Sequence, residues 1–172
     1  MSLQDDTAST ALAPLTIIRT ETVFSRLPLH NLAKKGRVPI HIKRKNPHGE
    51  IELYWQVSPN TAYGEPRQLA YKLDTIVIHQ TLHTLGRPLP KVLRLGSIAQ
   101  ICRDLEVAIS GNGHARIKQA LLQNAFVAIL AKLRYTATDG TERTLEAGFT
   151  RYSVVFTGER LPDGTKADAV YL

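Results

Sequence analysis

The chain has 172 residues, 43% of them hydrophobic, enough for one ordinary core and too few for two complete domains. Lys and Arg number 22 against 15 Asp and Glu, a formal net charge of +7 that favours a polyanionic partner. The longest apolar run, Ala125 to Ala131, is far below the ~20 residues that cross a bilayer. The polar N-terminus lacks a secretory signal, and the single cysteine Cys102 cannot form an intramolecular disulfide. A membrane span and an exported disulfide scaffold are thereby excluded, and a cytoplasmic location is expected.

Residues 1–13 are small and polar without a period, and are expected to form a disordered tail. The remainder, 14–172, is expected to be a single domain. Pro14, Pro28, Pro39 and Pro47 exclude long helices from its first part. The turn formers Asn46-Pro47-His48-Gly49 separate two alternating runs, Ile40 to Lys43 and Ile51 to Val57, which predicts a β-hairpin. Leu69, Leu73, Ile76, Val77 and Gln80 then fall at helical spacing, and Gly86-Arg87-Pro88 supplies a stop. One amphipathic helix is predicted over 68–85.

Ser97 precedes Ile98, Ile101, Cys102 and Leu105, an apolar stripe behind an N-cap residue that predicts a short core-facing helix. Ser110-Gly111-Asn112-Gly113 permits a sharp turn, after which Ile117, Ala120, Leu121 and Asn124 form a packing face. Asn112, Arg116, Gln119 and Gln123 form the opposite face. From Ala128 to Thr150 an Asp139-Gly140 turn joins two alternating runs, a second hairpin. Tyr152 to Phe156 is a further strand candidate, and Leu161 to Thr165 a turn before the apolar end of the sequence.

Long helix, short helix, sharp turn, second helix and hairpin are the element order of a winged helix-turn-helix, so the expected fold is α+β with an additional N-terminal β-hairpin. The helix-turn-helix is placed at about 97–126 and the wing at about 127–150. Amide and guanidinium side chains match base edges in the major groove, which makes Arg116, Gln119 and Gln123 candidate base readers. Asn112 and Lys118 are candidate backbone contacts, and Lys132, Arg134 and Arg143 are the candidate wing cations. Lys34, Lys35, Arg37, Lys43, Arg44 and Lys45 form a second basic patch with no acid between its ends. Each feature has a plainer alternative. An amphipathic helix needs a polar outer face in any soluble protein, and lysines guard edge strands against aggregation. Tyr54 and Trp55 are read as core aromatics and not as a base-stacking platform.

No catalytic set converges. His79 and His83 share helical spacing, but Gln80 follows His79 where a zinc protease carries Glu. The Ser110 to Gly113 glycines lack the Lys-Ser/Thr ending of a phosphate-binding loop, and Cys102 belongs to an apolar stripe. Neither enzymatic activity, a metal nor a cofactor is expected.

Three stretches carry a family resemblance: Leu95-Gly96-Ser97, the Ser110-Gly111 approach to Ile117-Lys118-Gln119-Ala120-Leu121, and Val154 to Asp168. Phe24 to Leu29 and Tyr63-Gly64-Glu65-Pro66 sit where the same pattern expects them. Together they resemble the bacterial plasmid replication initiator protein A family. The resemblance implies a winged-helix protein that binds repeated sites of a plasmid origin as double-stranded DNA, helps to open it and recruits host replication proteins, without hydrolysis. It also implies tandem winged-helix units, so the chain is expected to be either a fragment ending after the first unit or a single-domain relative. In two-domain relatives the first unit often contributes dimerisation and phosphate contacts, so a homodimer is a possible state. A protein-interaction module and a transcriptional regulator on the same fold stay open as alternatives.

Overall fold

The structure is a computed structural model and describes residues 27–85, 88, 90–160, 162–163 and 166–172. The expected tail 1–13 lies outside the described residues, as do Gly86 and Arg87 of the helix stop and Leu161, Gly164 and Thr165 of the last turn. The described residues form three helical segments and two antiparallel sheets, a mixed α/β architecture.

Both predicted hairpins form, and they join each other. Strands β1 (His41–Lys45) and β2 (Ile51–Ser58) pair as expected, as do β4 (Ala128–Thr136) and β5 (Glu142–Phe149). Strand β2 also pairs with β4, giving one four-stranded sheet in the order β1-β2-β4-β5. Alternation decides its inner face, because residues two apart share a side. Trp55, Val57, Ile129 and Ala131 are buried there with Leu29 and Val127, and Trp55 Nε1 donates to the Pro28 carbonyl at 2.7 Å. Tyr54 lies on the opposite face, edge-on to His41 and donating to Gln56.

The long helix α1 spans residues 68–85 as α-helical Gln68–Lys72, a π-helical stretch Leu73–Ile78 and α-helical His79–Leu85. Its buried stripe is Ala70, Leu73, Asp74, Val77 and Ile78. This corrects the predicted stripe, since Ile76 and Gln80 are exposed and a carboxylate occupies the core-facing side. Short β3 (Arg94–Gly96), which has too few residues to show a period, separates α1 from α2 (Ile98–Asp104). Ser97 caps α2 through Gln100 N, as predicted. Helix α3 (Gly111–Phe126) begins at the turn itself, because Ser110 Oγ accepts from Gly113 N.

The predicted third strand lies slightly later than expected, as β6 (Val155–Arg160), and pairs with β7 (Lys166–Tyr171). Strand β7 is the centre of a second sheet ordered β3-β7-β6, and Leu93 and Leu172 extend its pairing with two mutual backbone bonds of 2.9 Å. The expected wing is corrected accordingly. Hairpin 128–149 belongs to the sheet of the N-terminal hairpin, whereas β6–β7 returns to the strand that precedes α2.

Two apolar cores result. One gathers α1, α2, α3 and the three-stranded sheet around Leu73, Ile101, Cys102, Ile117, Leu121 and Val170, and the other lines the four-stranded sheet. A polar junction connects them. Asp74 of the π-helical stretch pairs with Arg151, which follows β5, and lies 3.6 Å from His30 Nε2. Asn124 of α3, fully buried, accepts from His30 at 3.0 Å and donates to the Ala70 carbonyl at 2.9 Å. Burial lowers the pKa of His30, with the Asp74 carboxylate opposing, and burial likewise raises that of the neighbouring Tyr152 phenol.

Candidate nucleic-acid interface

The turn between α2 and α3 has a definite stereochemical origin. Glu106 adopts φ 56°, the left-handed conformation that ends a helix, and its neighbour Val107 N bonds back to the Cys102 carbonyl at 2.8 Å. Gly113 then packs against the turn so closely that a β-carbon would lie 1.9 Å from the Ala108 oxygen. Only glycine permits this approach. The two helices are thus locked at the chain reversal, with Ile117, Ala120, Leu121 and Asn124 facing inward as the sequence indicates.

The outward face of α3 is divided into two parts. The side chains of Asn112 and Arg116, on its first two turns, are exposed and form no hydrogen bond or ion pair among the described residues. Lys118 is exposed and its Nζ lies 5.6 Å from the centre of the Phe156 ring on β6. Gln119 and Gln123, two of the expected base readers, both donate to the Tyr63 carbonyl, at 3.4 and 2.9 Å. The Tyr63 ring in turn stacks on Phe126 at 5.2 Å. The loop before α1 therefore occupies the amides of the C-terminal half of α3 and leaves its N-terminal half open.

The three expected wing cations lie on the four-stranded sheet and face acids. Lys132 pairs with Glu146 at 3.4 Å across β4 and β5, and Arg143 with Asp139 at 3.0 Å. Arg134 pairs with Glu50 and lies 3.7 Å from Glu142. The Glu50 carboxyl pKa is lowered, chiefly by the hydrogen bond from Arg134. Hydrogen bonds from Thr141 do the same for Asp139, with Arg143 a smaller cause. All these pairs are at least partly exposed, so each contributes little to stability, but each cancels the charge of its cation locally.

The second basic patch separates into two groups. Lys43, Arg44 and Lys45 lie exposed on β1, an edge strand, with a register shift between Arg44 and Lys45. Lys34, Lys35 and Arg37 lie in the coil before it, also exposed. Of the six, Arg37 has an acidic partner among the described residues, Glu65 at 3.1 Å. His79 and His83 are exposed on α1, and no group of three or more His, Cys, Asp or Glu comes together among the described residues.

Sequence reasoning missed the residues opposite Arg116. A cleft of about 370 Å³ is lined by Arg67, Gln68 and Lys72 of the α1 start, by Leu105 to Ala108 of the turn, and by Arg116. Arg67 and Lys72 are isolated cations in the sequence, and only the packing of α1 against α3 brings them near the helix-turn-helix.

The chain matches no protein-family model and no curated protein. Among solved structures it is similar to domains 2 and 3 of RctB, with a TM-score of 0.48 and 11% identity, over 83% of this chain and 52% of that one. The chain spans about half the length of that structure. Among the described residues, no helix is long and apolar enough to cross a membrane.

Proposed function

We propose that this chain is a non-catalytic, double-stranded-DNA-binding module of the winged-helix kind, acting in replication initiation at repeated origin sites. The observation that carries the binding reading is the open N-terminal half of α3, presented behind a tight helix-turn-helix, with the side chains of Asn112 and Arg116 free of polar partners among the described residues. In such motifs the first residues of the second helix reach the base edges. The strand order supports the winged-helix reading, because β3 lies between α1 and α2 and closes on the β6–β7 hairpin, which takes the wing's place in the topology. The replication assignment rests on the sequence resemblance of Leu95 to Ser97, Ser110 to Leu121 and Val154 to Asp168 to plasmid initiators.

In this reading Arg116 and Asn112 face the groove and Lys118 faces the backbone beside β6. Gln119 and Gln123 brace α3 against the Tyr63 loop. Titration of a fluorescent duplex followed by anisotropy tests it: log affinity should fall with log salt at about 0.9 per phosphate neutralised, summing to a slope of several units. A response indifferent to salt would overturn DNA binding. Selecting bound sites from a random duplex library then tests sequence preference, and recovery of a repeated plasmid-origin motif would support the replication role.

One observation favours a second reading, self-association. Among the described residues strand β5 is an outer strand of the four-stranded sheet, and Leu145 on it is only half-buried. Light scattering behind size exclusion, with and without duplex, separates the two: a dimer indifferent to DNA would support an interaction module.

A further inference from the structure

We infer that the cations of the Lys34 to Arg37 coil and those of the α1–α3 cleft form one phosphate-binding surface for the DNA backbone, organised by the carboxylate of Glu65; this deepens the DNA-binding reading and rests on it. Glu65 is the hub. Its side chain is 8% exposed, accepts from Asn31 Nδ2 at 2.9 Å, and holds Arg37 at 3.1 Å and Arg67 at 3.3 Å. Arg67 also donates to the Gly36 carbonyl at 2.9 Å, and Asn31 N donates to the Pro66 carbonyl at 2.9 Å. These bonds seat the coil bearing Lys34, Lys35 and Arg37 against the start of α1.

The same Arg67 lines the cleft with Lys72 and Arg116. Two regions distant in sequence are thereby joined through one guanidinium. Five cations, Lys34, Lys35, Arg37, Arg67 and Lys72, share this surface with the carboxylates of Glu65 and Glu106, and Arg116, which faces the groove, borders it. Glu65 cancels one charge while fixing two guanidinium groups, and Lys34, Lys35, Lys72 and Arg116 have no acidic partner within salt-bridge distance among the described residues. The contrast with Lys132, Arg134 and Arg143 is direct, because each of those has an acid beside it. Unpaired, exposed cations from several elements around a helix-turn-helix suit successive phosphates, which position a protein on a duplex without reading its sequence. A second role for Glu65 follows: it is a positioning residue that keeps the Arg37 and Arg67 guanidinium groups oriented.

The test uses the full chain and a random-sequence duplex, with anisotropy measured across a salt series. Lys34→Gln with Lys35→Gln, and Lys72→Gln, should each weaken binding and make the salt slope shallower by about 0.9 for every phosphate left without its cation. Glu106→Gln should strengthen binding by removing the carboxylate from the cleft. Lys132→Gln with Arg143→Gln, on β4 and β5, should leave the slope unchanged. All of these residues are at least partly exposed, and circular dichroism melting verifies that each variant is folded. Glu65→Gln should weaken binding while leaving the unpaired lysines in place, and Glu65→Asp should restore part of it. If the wild type binds duplex and its slope is indifferent to the cleft and coil substitutions, this surface is overturned and the DNA reading stands. If the wild type binds no duplex at any salt concentration, both fall.

Discussion

At Gly113 the space for a side chain is already filled by the Ala108 carbonyl, 1.9 Å from where a β-carbon would sit. Gly113→Ala therefore must open the helix-turn-helix, and should cost at least the ~1–3 kcal/mol typical of overpacking, read from urea unfolding. His30 gives a prediction of a different kind. Its folded pKa lies below the ordinary 6.5 because burial outweighs the attraction of Asp74. The unfolded chain therefore takes up the proton first, so stability is fully present above pH 6.5 and declines as pH falls from there towards the folded value. Thermal melts across that interval should show the decline, and His30→Gln, which has nothing to titrate there, should flatten it. Residues such as Cys102, Trp55 and Asn124 were legible in the sequence as core positions, since an apolar stripe or an alternating strand fixes their side. Asp74 was not, because a carboxylate in a periodic helix is assigned to water unless its distant partners, His30 and Arg151, are known.

The helices and hairpins were legible for the same reason: their periods are local. The predicted bounds of α1, α2 and the first two hairpins agree closely with the structure. Strand pairing was not legible, since nothing in β4–β5 alone says whether it closes on β3 or on β2. The partners of α3 were equally hidden. Gln119 and Gln123 look like base readers until the Tyr63 loop, far away in sequence, is seen to hold their amides. At this scale the π-helical stretch Leu73–Ile78 has an energetic role, because it carries Asp74 into the junction. Asp74→Ala leaves His30 and the partly exposed Arg151 facing a gap and should destabilise the fold by about 1–3 kcal/mol, the range for leaving buried polar groups without a partner. Equilibrium denaturation measures it. Asp74→Asn, which can still accept a hydrogen bond from Arg151, should cost less.

Across the whole molecule, two cores are connected by the His30–Asp74–Asn124–Arg151 junction and by the bonds around Glu65. The single tryptophan, Trp55, reports on the core of the four-stranded sheet, and the helical circular dichroism reports on the other core. Leu121→Ala, at a fully buried position of α3, should cost about 2–5 kcal/mol. With the junction intact the two signals should melt together in that variant; combined with Asp74→Ala they should separate, the helical signal being lost first. The overall excess of positive charge was legible from composition, but its placement was not: folding cancels it on the four-stranded sheet's β4–β5 side and leaves it uncancelled on β1 and around α1 and α3. The position of β7 at the centre of its sheet also sets an order of events during synthesis. All four strands of the larger sheet have been made once Phe149 is in place, whereas β3 has no partner and the helical core no closing strand until β7 has been added. A nascent chain should therefore pass through a stage with a formed sheet and a still-open pair of helices α2 and α3, and the surface proposed to face DNA should form only after that sheet.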